Sequence, residues 1–146
     1  MKRPFEHSKT VLCVTTAAGA AGTSAITSTA VDTQTFEGVR FLVMIGPVVA
    51  GAVTSIKIQQ SDDDGVADGY SDLLGTSQTI ADDADNTHIY VDIYRPGKRY
   101  LKLVVSRATQ NATIGGVIAE LYAHDTLPVT QVATGETFIS PAEGTA

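Results

Sequence analysis

Closely spaced carboxylates are the first feature of this 146-residue sequence that could do chemistry. Asp62, Asp63 and Asp64 precede a glycine, and Asp68 and Asp72 follow shortly after. Oxygen ligands packed this closely suit Ca²⁺. The spacing does not fit an EF-hand loop, which needs a glutamate at its twelfth position, because this stretch contains no glutamate. A solvated acidic loop is the simpler interpretation, so we predict no metal site and leave calcium binding by residues 62–72 open.

Histidines, cysteine and nucleophile motifs do not indicate a catalytic centre. His7, His88, His124 and the single Cys13 are not at zinc-ligand spacing, and Cys13 is predicted to be a small buried side chain on a strand. The sequence has no Gly-x-Ser-x-Gly elbow and no phosphate-binding glycine loop. We therefore predict no catalytic residue, no metal ligand, no cofactor and no enzymatic activity. A triad assembled from distant residues is not excluded by sequence.

A basic turn is the first candidate for binding a partner. Arg95, Lys98 and Arg99 surround a Pro-Gly pair, and they could either grip an acidic partner or form a solvated turn. Eight of the sixteen acidic residues lie in 62–85, and five of the ten basic residues lie in 95–107. We expect one acidic and one basic surface region, an arrangement that suits docking against copies of the chain or a larger partner.

Surface tyrosines leave carbohydrate binding as an alternative. The chain has no tryptophan, and aromatic residues make up only 6% of it. Tyrosines on strands are more often cross-strand partners than sugar platforms. The available rings are Tyr70, Tyr90, Tyr94, Tyr100 and Tyr122.

β-Strands must position these groups, because alternating and β-branched runs dominate and no segment shows a helical period. The pattern predicts an all-β fold, a single β-sandwich or jelly roll of about 7–8 strands with extended terminal arms. The predicted strands are residues 9–16, 25–31, 36–45, 53–60, 70–74, 88–93, 99–107 and 114–122.

Particular strands carry more specific expectations. Residues 36–45 are apolar on both alternating faces, which predicts a central strand covered on both sides and ended by Gly46-Pro47. The runs on either side of 95–98 are predicted to form a hairpin. Gly115-Gly116 is interpreted as a bulge. Residues 53–60 are predicted to have one wet face, with Ile56 and Ile58 on the other, and residues 99–107 are predicted to point Leu101, Leu103 and Val105 inward.

The domain organisation follows from where the strand pattern fades. We predict an N-terminal arm at 1–8, a sandwich domain at 9–125 and an extended C-terminal tail at 126–146. The tail lies either across its own domain or on a neighbour. Deleting it is expected to leave the domain folded and to weaken association. Its apolar islands are the second candidate partner-binding feature: Leu127, Val129, Phe138 and Ile139.

Composition limits the partners and the compartment. Hydrophobic residues make up 43% of the chain and charged residues 18%, and no apolar run is long enough to span a bilayer. The net charge of −6 disfavours nucleic acid as a partner. No apolar segment follows the basic N-terminus, so we expect no secretory signal and synthesis in the cytoplasm.

One order of motifs resembles a known family. SIKIQQSDD (55–63) leads into GYSDLLG (69–75), and YRPGKRYLKLVV (94–105) is followed by GVIAELY (116–122). This order, over roughly residues 53–128, resembles capsid decoration (cement) proteins of the jelly-roll type that are encoded beside the major capsid protein of tailed bacteriophages.

The resemblance implies a structural protein of the virion, made in the host cytoplasm and bound to the capsid exterior. Such proteins staple neighbouring major capsid subunits, often as homodimers or homotrimers, and need neither nucleic acid nor membrane. The alternative is a carbohydrate- or host-surface-binding β-sandwich module of a phage head fibre or tail appendage.

Overall fold

The alternating runs form strands in the computed structural model, which describes residues 4–137, 139–140 and 142–144. A helical turn, α1 (Pro4–His7), precedes the first strand. No helix among the described residues is long and apolar enough to cross a membrane. The strands of this described part are β1 (Ser8–Val14), β2 (Ile26–Thr27), β3 (Val31–Asp32), β4 (Phe36–Val48), β5 (Val53–Ser61), β6 (Ser71–Asp72), β7 (Gln78–Ile80), β8 (His88–Tyr94), β9 (Tyr100–Ala108) and β10 (Ala112–His124).

Two antiparallel sheets form the fold. Sheet A has the strand order β1-β10-β4-β8. Sheet B has the order β2-β9-β5-β6, with β3 also paired to β9 and β7 also paired to β5. Alternate residues of the long strands in both sheets point to a common core, as in a β-sandwich. The predicted all-β sandwich class is confirmed.

The core lies between the sheets and is aliphatic. Phe41 of β4, Ile56 and Ile58 of β5, and Leu101 and Leu103 of β9 are all fully buried. Burying a side chain of this size contributes roughly 1.5–3 kcal/mol each, which makes these strands the main source of stability. The inward residues predicted for β5 and β9 are confirmed, as is the wet outer face of β5.

The connection between β8 and β9 crosses from one sheet to the other, so the predicted hairpin is wrong. β8 pairs with β4 in sheet A, whereas β9 pairs with β5 in sheet B. Arg95, with a φ of 51°, donates its N–H to the Glu37 carbonyl (2.7 Å) and ends β8. Both runs direct apolar residues into the same core from opposite sheets. Their alternation therefore looks the same as that of a hairpin.

β4 lies inside sheet A but is longer than its sequence indicated. It continues through Pro47 to Val48, because its register with β10 shifts between Ile45 and Val48. At such a bulge one residue is left without a ladder partner, so the missing N–H of proline costs no sheet hydrogen bond. The expectation that Gly46-Pro47 ends the strand is wrong for this reason.

The two faces of β4 differ in burial. Val39, Phe41 and Val43 are fully buried on the inner face, as predicted. Leu42 is only half-buried and Met44 is 41% exposed on the outer face. The expectation that both faces are covered is therefore wrong.

One bulge, the short strands and the single cysteine remain to be set against the sequence-based predictions. The bulge predicted at Gly115-Gly116 is confirmed, because β10 shifts its register against β4 there and Gly116 has a φ of 150°. The predicted strand at 25–31 is split into β2 and β3, and β7 lies between the predicted strands 70–74 and 88–93, where no strand was predicted. Cys13 is buried on β1 as predicted, and burial raises the pKa of its thiol.

Candidate functional site

The basic turn lies against acidic residues of its own chain. The Lys98 ammonium is 2.5 Å from the Asp68 carboxylate and 3.6 Å from that of Asp62. Arg99 donates two hydrogen bonds to Asp32, at 2.9 and 2.7 Å. The charges that are separated along the sequence are thus neighbours in the fold, which corrects the expected division into an acidic and a basic region.

These contacts also affect the titration of the carboxylates. The side-chain hydrogen bond from Arg99 lowers the pKa of Asp32, and the one from Lys98 lowers the pKa of Asp68. A depressed carboxylate pKa means that the ion pair adds stability above the unfolded pKa and loses it as pH falls. The third basic residue, Arg95, places its guanidinium 5.1 Å from the centroid of the Tyr94 ring.

The acidic loop satisfies its carboxylates internally. Asp63 accepts hydrogen bonds from the N–H groups of Val66, Ala67 and Asp68, and these bonds lower its pKa. Oxygens engaged by backbone amides are less available to a cation. Within the described residues, no group of three or more His, Cys, Asp or Glu side chains is arranged to hold a metal.

Tyr70 connects this loop to β9. Its hydroxyl donates to Asp64 (2.5 Å), and the Lys102 ammonium lies 3.7 Å from its ring centroid. Burial, followed by the bond to Asp64, raises the Tyr70 pKa. The loop and the basic turn therefore form one internally paired cluster at this end of the sandwich.

The apolar residues of the tail lie in different environments. Val129 is 8% exposed and donates its N–H to the Glu6 carbonyl (3.2 Å), so this part of the tail lies across its own domain. Leu127 is 46% exposed and Ile139 is 83% exposed. Phe138, the fourth predicted contact residue, lies outside the described residues.

A larger candidate surface lies on the outer side of sheet A. We define the open face by the three cross-strand rows that it carries. Each row runs across β1, β10, β4 and β8 in register. The rows are Leu12–Ile118–Leu42–Tyr90, Thr10–Glu120–Arg40–Asp92 and Ser8–Tyr122–Gly38–Tyr94.

The first row of the open face is apolar across all four strands. Leu12 and Tyr90, at its two ends, are each 59% exposed. Ile118 and Leu42 lie half-buried between them. Single exposed apolar side chains are ordinary on a protein surface, but a contiguous row of them marks an interaction surface.

The second and third rows supply polar groups beside the apolar row. Arg40 forms an ion pair with Glu120, and Tyr122 donates its hydroxyl to Asp92 (2.9 Å). These four residues line a depression of about 320 Å³. Burial and the bond to Asp92 raise the pKa of Tyr122 to about 12.

Gly38 lets Tyr122 lie flat on the sheet. A Cβ at this position would overlap the Tyr122 ring, so only glycine leaves room for it. The ring therefore covers the gap that the glycine leaves in β4 and holds the hydroxyl toward β8. The open face is shaped by this pair of residues.

The outer face of sheet B differs from the open face in composition. Its central strand β5 presents Ser55, Lys57 and Gln59, and its neighbour β9 presents Lys102 and Val104, all half-buried. Apart from Val53 and Val104, sheet B thus has the polar outer face expected of a solvated sheet. The apolar row is particular to sheet A.

Sequence reasoning missed the open face for an identifiable reason. Leu42 and its neighbours on the outer face of β4 were interpreted as covered core residues. The usable signal was the pair Arg40 and Glu120, since charged residues at alternate positions with Leu42 and Ile118 exclude a fully buried face.

No protein-family model and no curated protein match the chain. Solved structures with similar folds include the SPBc2 prophage-derived protein YomS, at 15% identity and a TM-score of 0.47, over 80% of this chain and 95% of that one. The CBM22-1 xylan-binding domain of Paenibacillus barcinonensis Xyn10C matches at 14% identity and a TM-score of 0.41, over 78% and 82%. The CBM22-1–GH10 modules of Clostridium thermocellum Xyn10B, complexed with xylohexaose, match at 9% and 0.46, over 87% of this chain and 28% of that one. Likenesses at these scores carry no conclusion about function.

Proposed function

We propose that this protein is a capsid decoration (cement) protein of a tailed bacteriophage, bound to the outside of the head. It would bind the major capsid protein and staple neighbouring subunits, without catalysis and without a cofactor. The apolar row of the open face is the observation that carries the proposal. The motif order of residues 53–128, which resembles that of decoration proteins, supplies the phage context.

The open face suits a broad protein surface better than a small ligand. Its four strands form a continuous platform whose backbone is held by the sandwich core. Protein interfaces place apolar anchors at the centre and polar groups at the rim. Here Leu12, Ile118 and Leu42 are the anchors, and the Arg40–Glu120 pair would orient the partner.

Avidity is the mechanism by which such a protein would strengthen a shell. Each copy need bind only modestly, because many copies that bridge joints between subunits share the load. The exposed tail residues Leu127 and Ile139 would add reach toward a neighbouring subunit. Lys98 and Arg99 contribute less in this scheme, since Asp68 and Asp32 already neutralise them.

The first test is sedimentation of the lysate in which the protein is naturally made. A decoration protein travels with particles, at a high and fixed copy number relative to the shell protein. A few copies per particle would point instead to a fibre or tail component. Migration as a free small species would contradict the phage-shell proposal.

A matched pair of variants then tests the open face itself. Leu12→Lys places a charge on the apolar row, and Val53→Lys introduces the same side chain on β5, where the native valine is 62% exposed. We expect Leu12→Lys to weaken particle binding at least about tenfold, because an anchor is lost and a charge is desolvated. Val53→Lys should bind as the wild type does. Equal binding by both variants would exclude the open face.

Carbohydrate binding is the second candidate, favoured by Tyr90 and Tyr94. Both rings lie on the outer face of β8 and are 59% and 57% exposed. Four residues along a strand separate them by roughly 13 Å, and Asp92 lies between them. Two exposed rings with a polar group between them can stack on a sugar and hydrogen-bond its hydroxyls.

A glycan array separates the two candidates. A pure decoration protein needs no sugar, so an absence of glycan binding at high protein concentration would remove the second candidate. Binding that is lost in both Tyr90→Ala and Tyr94→Ala, and kept in Tyr70→Ala, whose ring lies beside Lys102 of sheet B, would favour it.

A further inference from the structure

β8 is the edge strand of sheet A, and one of its two sides has no strand partner among the described residues. It pairs with β4 alone. The hydrogen bonds from Arg95 N–H to the Glu37 carbonyl (2.7 Å) and from Ile45 N–H to the Thr87 carbonyl (2.8 Å) fix the alternation of this ladder. In an antiparallel pair, residues bond to the partner strand at alternate positions. The odd-numbered residues of β8 therefore bond to β4.

The even-numbered residues of β8 direct their backbone groups away from the sheet. His88, Tyr90, Asp92 and Tyr94 thus present N–H and C=O groups at the free edge. The Gln78 side chain supports this direction, because its amide donates to the Tyr90 carbonyl (3.3 Å). Apart from Asp92, the strand carries none of the lysines, other charged residues or prolines that natural edges use against pairing.

The other edges of the described sandwich are short or covered. Sheet B ends in β2, β3, β6 and β7, which have two or three residues each. At the opposite edge of sheet A, the Cys13 carbonyl accepts from Thr29 N–H (3.1 Å), and the Ser8 carbonyl accepts from the Gln131 amide (2.6 Å). β8 is therefore the long edge that the described chain leaves open.

We infer that a second copy of this chain pairs with β8 through its own β8, antiparallel about a two-fold axis at Val91. In this register the hydrogen-bonded pairs are Tyr90 with the partner's Asp92, and His88 with the partner's Tyr94. Val91 faces Val91 of the partner subunit as a non-hydrogen-bonded pair. All seven residues of β8 are then paired, and sheet A becomes a continuous eight-stranded sheet across the dimer.

Charge and packing both favour this register. Each Asp92 lies opposite a neutral tyrosine, whereas a register centred on Asp92 would set the two carboxylates against each other. On the inner side, the half-buried Ile89 lies opposite the partner's Ile93, so the core row continues across the axis. A groove of about 700 Å³ lies along this edge, lined by β8 and by Gly75, Thr76 and Gln78, and gives the approaching strand room.

Sedimentation equilibrium of the purified chain is the primary test, and it needs no shell particle. We expect a concentration-dependent monomer–dimer equilibrium. Tyr90→Pro removes an outward N–H without breaking the β4 ladder, so it should abolish the dimer. Tyr90→Ala, the control that keeps the N–H, should still dimerise. A wild-type monomer at about 1 mM, or a Tyr90→Pro dimer, would overturn the inference.

Charge changes at position 90 test the register. Tyr90→Lys places a cation opposite the partner's Asp92 twice per dimer, and Tyr90→Glu places an anion there. Both variants put a charge on the edge strand, so the register is read from their difference: the lysine variant should dimerise about tenfold more tightly than the glutamate variant. Equal dissociation constants for the two variants would exclude the Val91-centred register.

Cross-linking provides a geometric check. Non-hydrogen-bonded partners have Cα atoms about 4.5 Å apart, within disulfide range. In a Cys13→Ala background, Val91→Cys should form a covalent dimer on mild oxidation. Tyr90→Cys is more exposed but faces Asp92 rather than itself, so it should cross-link less. The reverse order would contradict the two-fold axis at Val91.

Discussion

The two edges of sheet A are built differently, although both belong to strands of seven residues. The edge at β1 is covered by the chain itself, since Thr29 and Gln131 donate to its outward carbonyls. The edge at β8 has one weak cover, the Gln78 amide, and otherwise presents its backbone groups. An unprotected edge is a liability for a soluble β protein unless something pairs with it.

The difference indicates what the tail does. Residues 129–131 place a buried valine and a glutamine amide along α1 and the start of β1, so this part of the tail protects an edge. Its exposed residues, Leu127 and Ile139, remain available for a neighbour. The sandwich thus covers one edge of sheet A with its own chain and leaves the other edge without a strand partner among the described residues.

Deleting residues 126–146 would remove the part of the tail that covers the start of β1. Of the changes considered, it should have the largest effect on stability. The deletion removes the buried Val129 side chain and the hydrogen bonds of Val129 and Gln131, so we expect about 2–4 kcal/mol less stability in urea unfolding. The domain should stay folded because its core does not include the tail.

The same deletion should increase self-association. The sequence pattern predicted the opposite, that association weakens when the tail is deleted. With the Ser8 end of β1 uncovered as well as β8, each copy has two different open edges, and pairing between them does not close. Sedimentation velocity should show species larger than a dimer. An unchanged unfolding midpoint together with unchanged sedimentation would refute the protective role of the tail.

Two valines of the tail, one buried and one exposed, test whether residue 129 packs on the domain. Val129→Ala removes two buried carbon atoms and should cost about 1.5 kcal/mol. Val132→Ala makes the same change where the side chain is 63% exposed, and it should cost under about 0.5 kcal/mol. Thermal or urea unfolding of both variants measures the difference. Equal losses would show that residue 129 does not pack on the domain in solution.

Substituting two glutamines compares how strongly side-chain hydrogen bonds cover the β1 edge and the β8 edge. Gln131→Ala removes hydrogen bonds to the Phe5 carbonyl (2.9 Å) and the Ser8 carbonyl (2.6 Å), and it should cost about 1 kcal/mol. Gln78→Ala removes one longer bond at an exposed position and should cost under about 0.5 kcal/mol. It should also tighten self-association, because it frees the Tyr90 carbonyl. A larger stability loss for Gln78→Ala would reverse the assignment of the protected edge.

Much of the fold was predictable because alternation reports burial. The inward residues of β5 and β9, the bulge at Gly115-Gly116 and the burial of Cys13 follow from side-chain period, glycine conformation and residue type. Strand pairing was not predictable in the same way. Apolar alternation shows that β8 and β9 face a common core, but it does not show that they approach that core from opposite sheets.

The candidate surface was harder to predict than the fold. Arg95, Lys98 and Arg99 stand out in the sequence, yet Lys98 and Arg99 are engaged by aspartates up to 67 residues away along the chain. The open face is the converse case, since its rows combine residues from four strands. Only the register of those strands brings Leu12, Ile118, Leu42 and Tyr90 into one line.

Tyr122→Phe should have the smallest effect on self-association, and it tests whether the open edge acts through its backbone. The substitution removes the hydroxyl that holds Asp92 of β8 and leaves every outward N–H and C=O group of that strand in place. We expect about 0.5 kcal/mol less stability at neutral pH and no change in the dimer dissociation constant. A lost dimer would show that side chains, rather than the strand edge, hold the two copies.

The pH dependence of this variant gives a second readout. The Tyr122 pKa is raised to about 12 in the folded chain, from about 10 when unfolded. The stability that the neutral hydroxyl contributes is therefore complete below pH 10 and is lost as pH rises toward 12. The difference in unfolding free energy between wild type and Tyr122→Phe should fall over about pH 10–12 and change sign, because ionising the Tyr122 hydroxyl destabilises the wild type alone. A difference that stays constant over this range would mean that Tyr122 does not donate to Asp92 in solution, and β8 would then be held to sheet A by β4 alone.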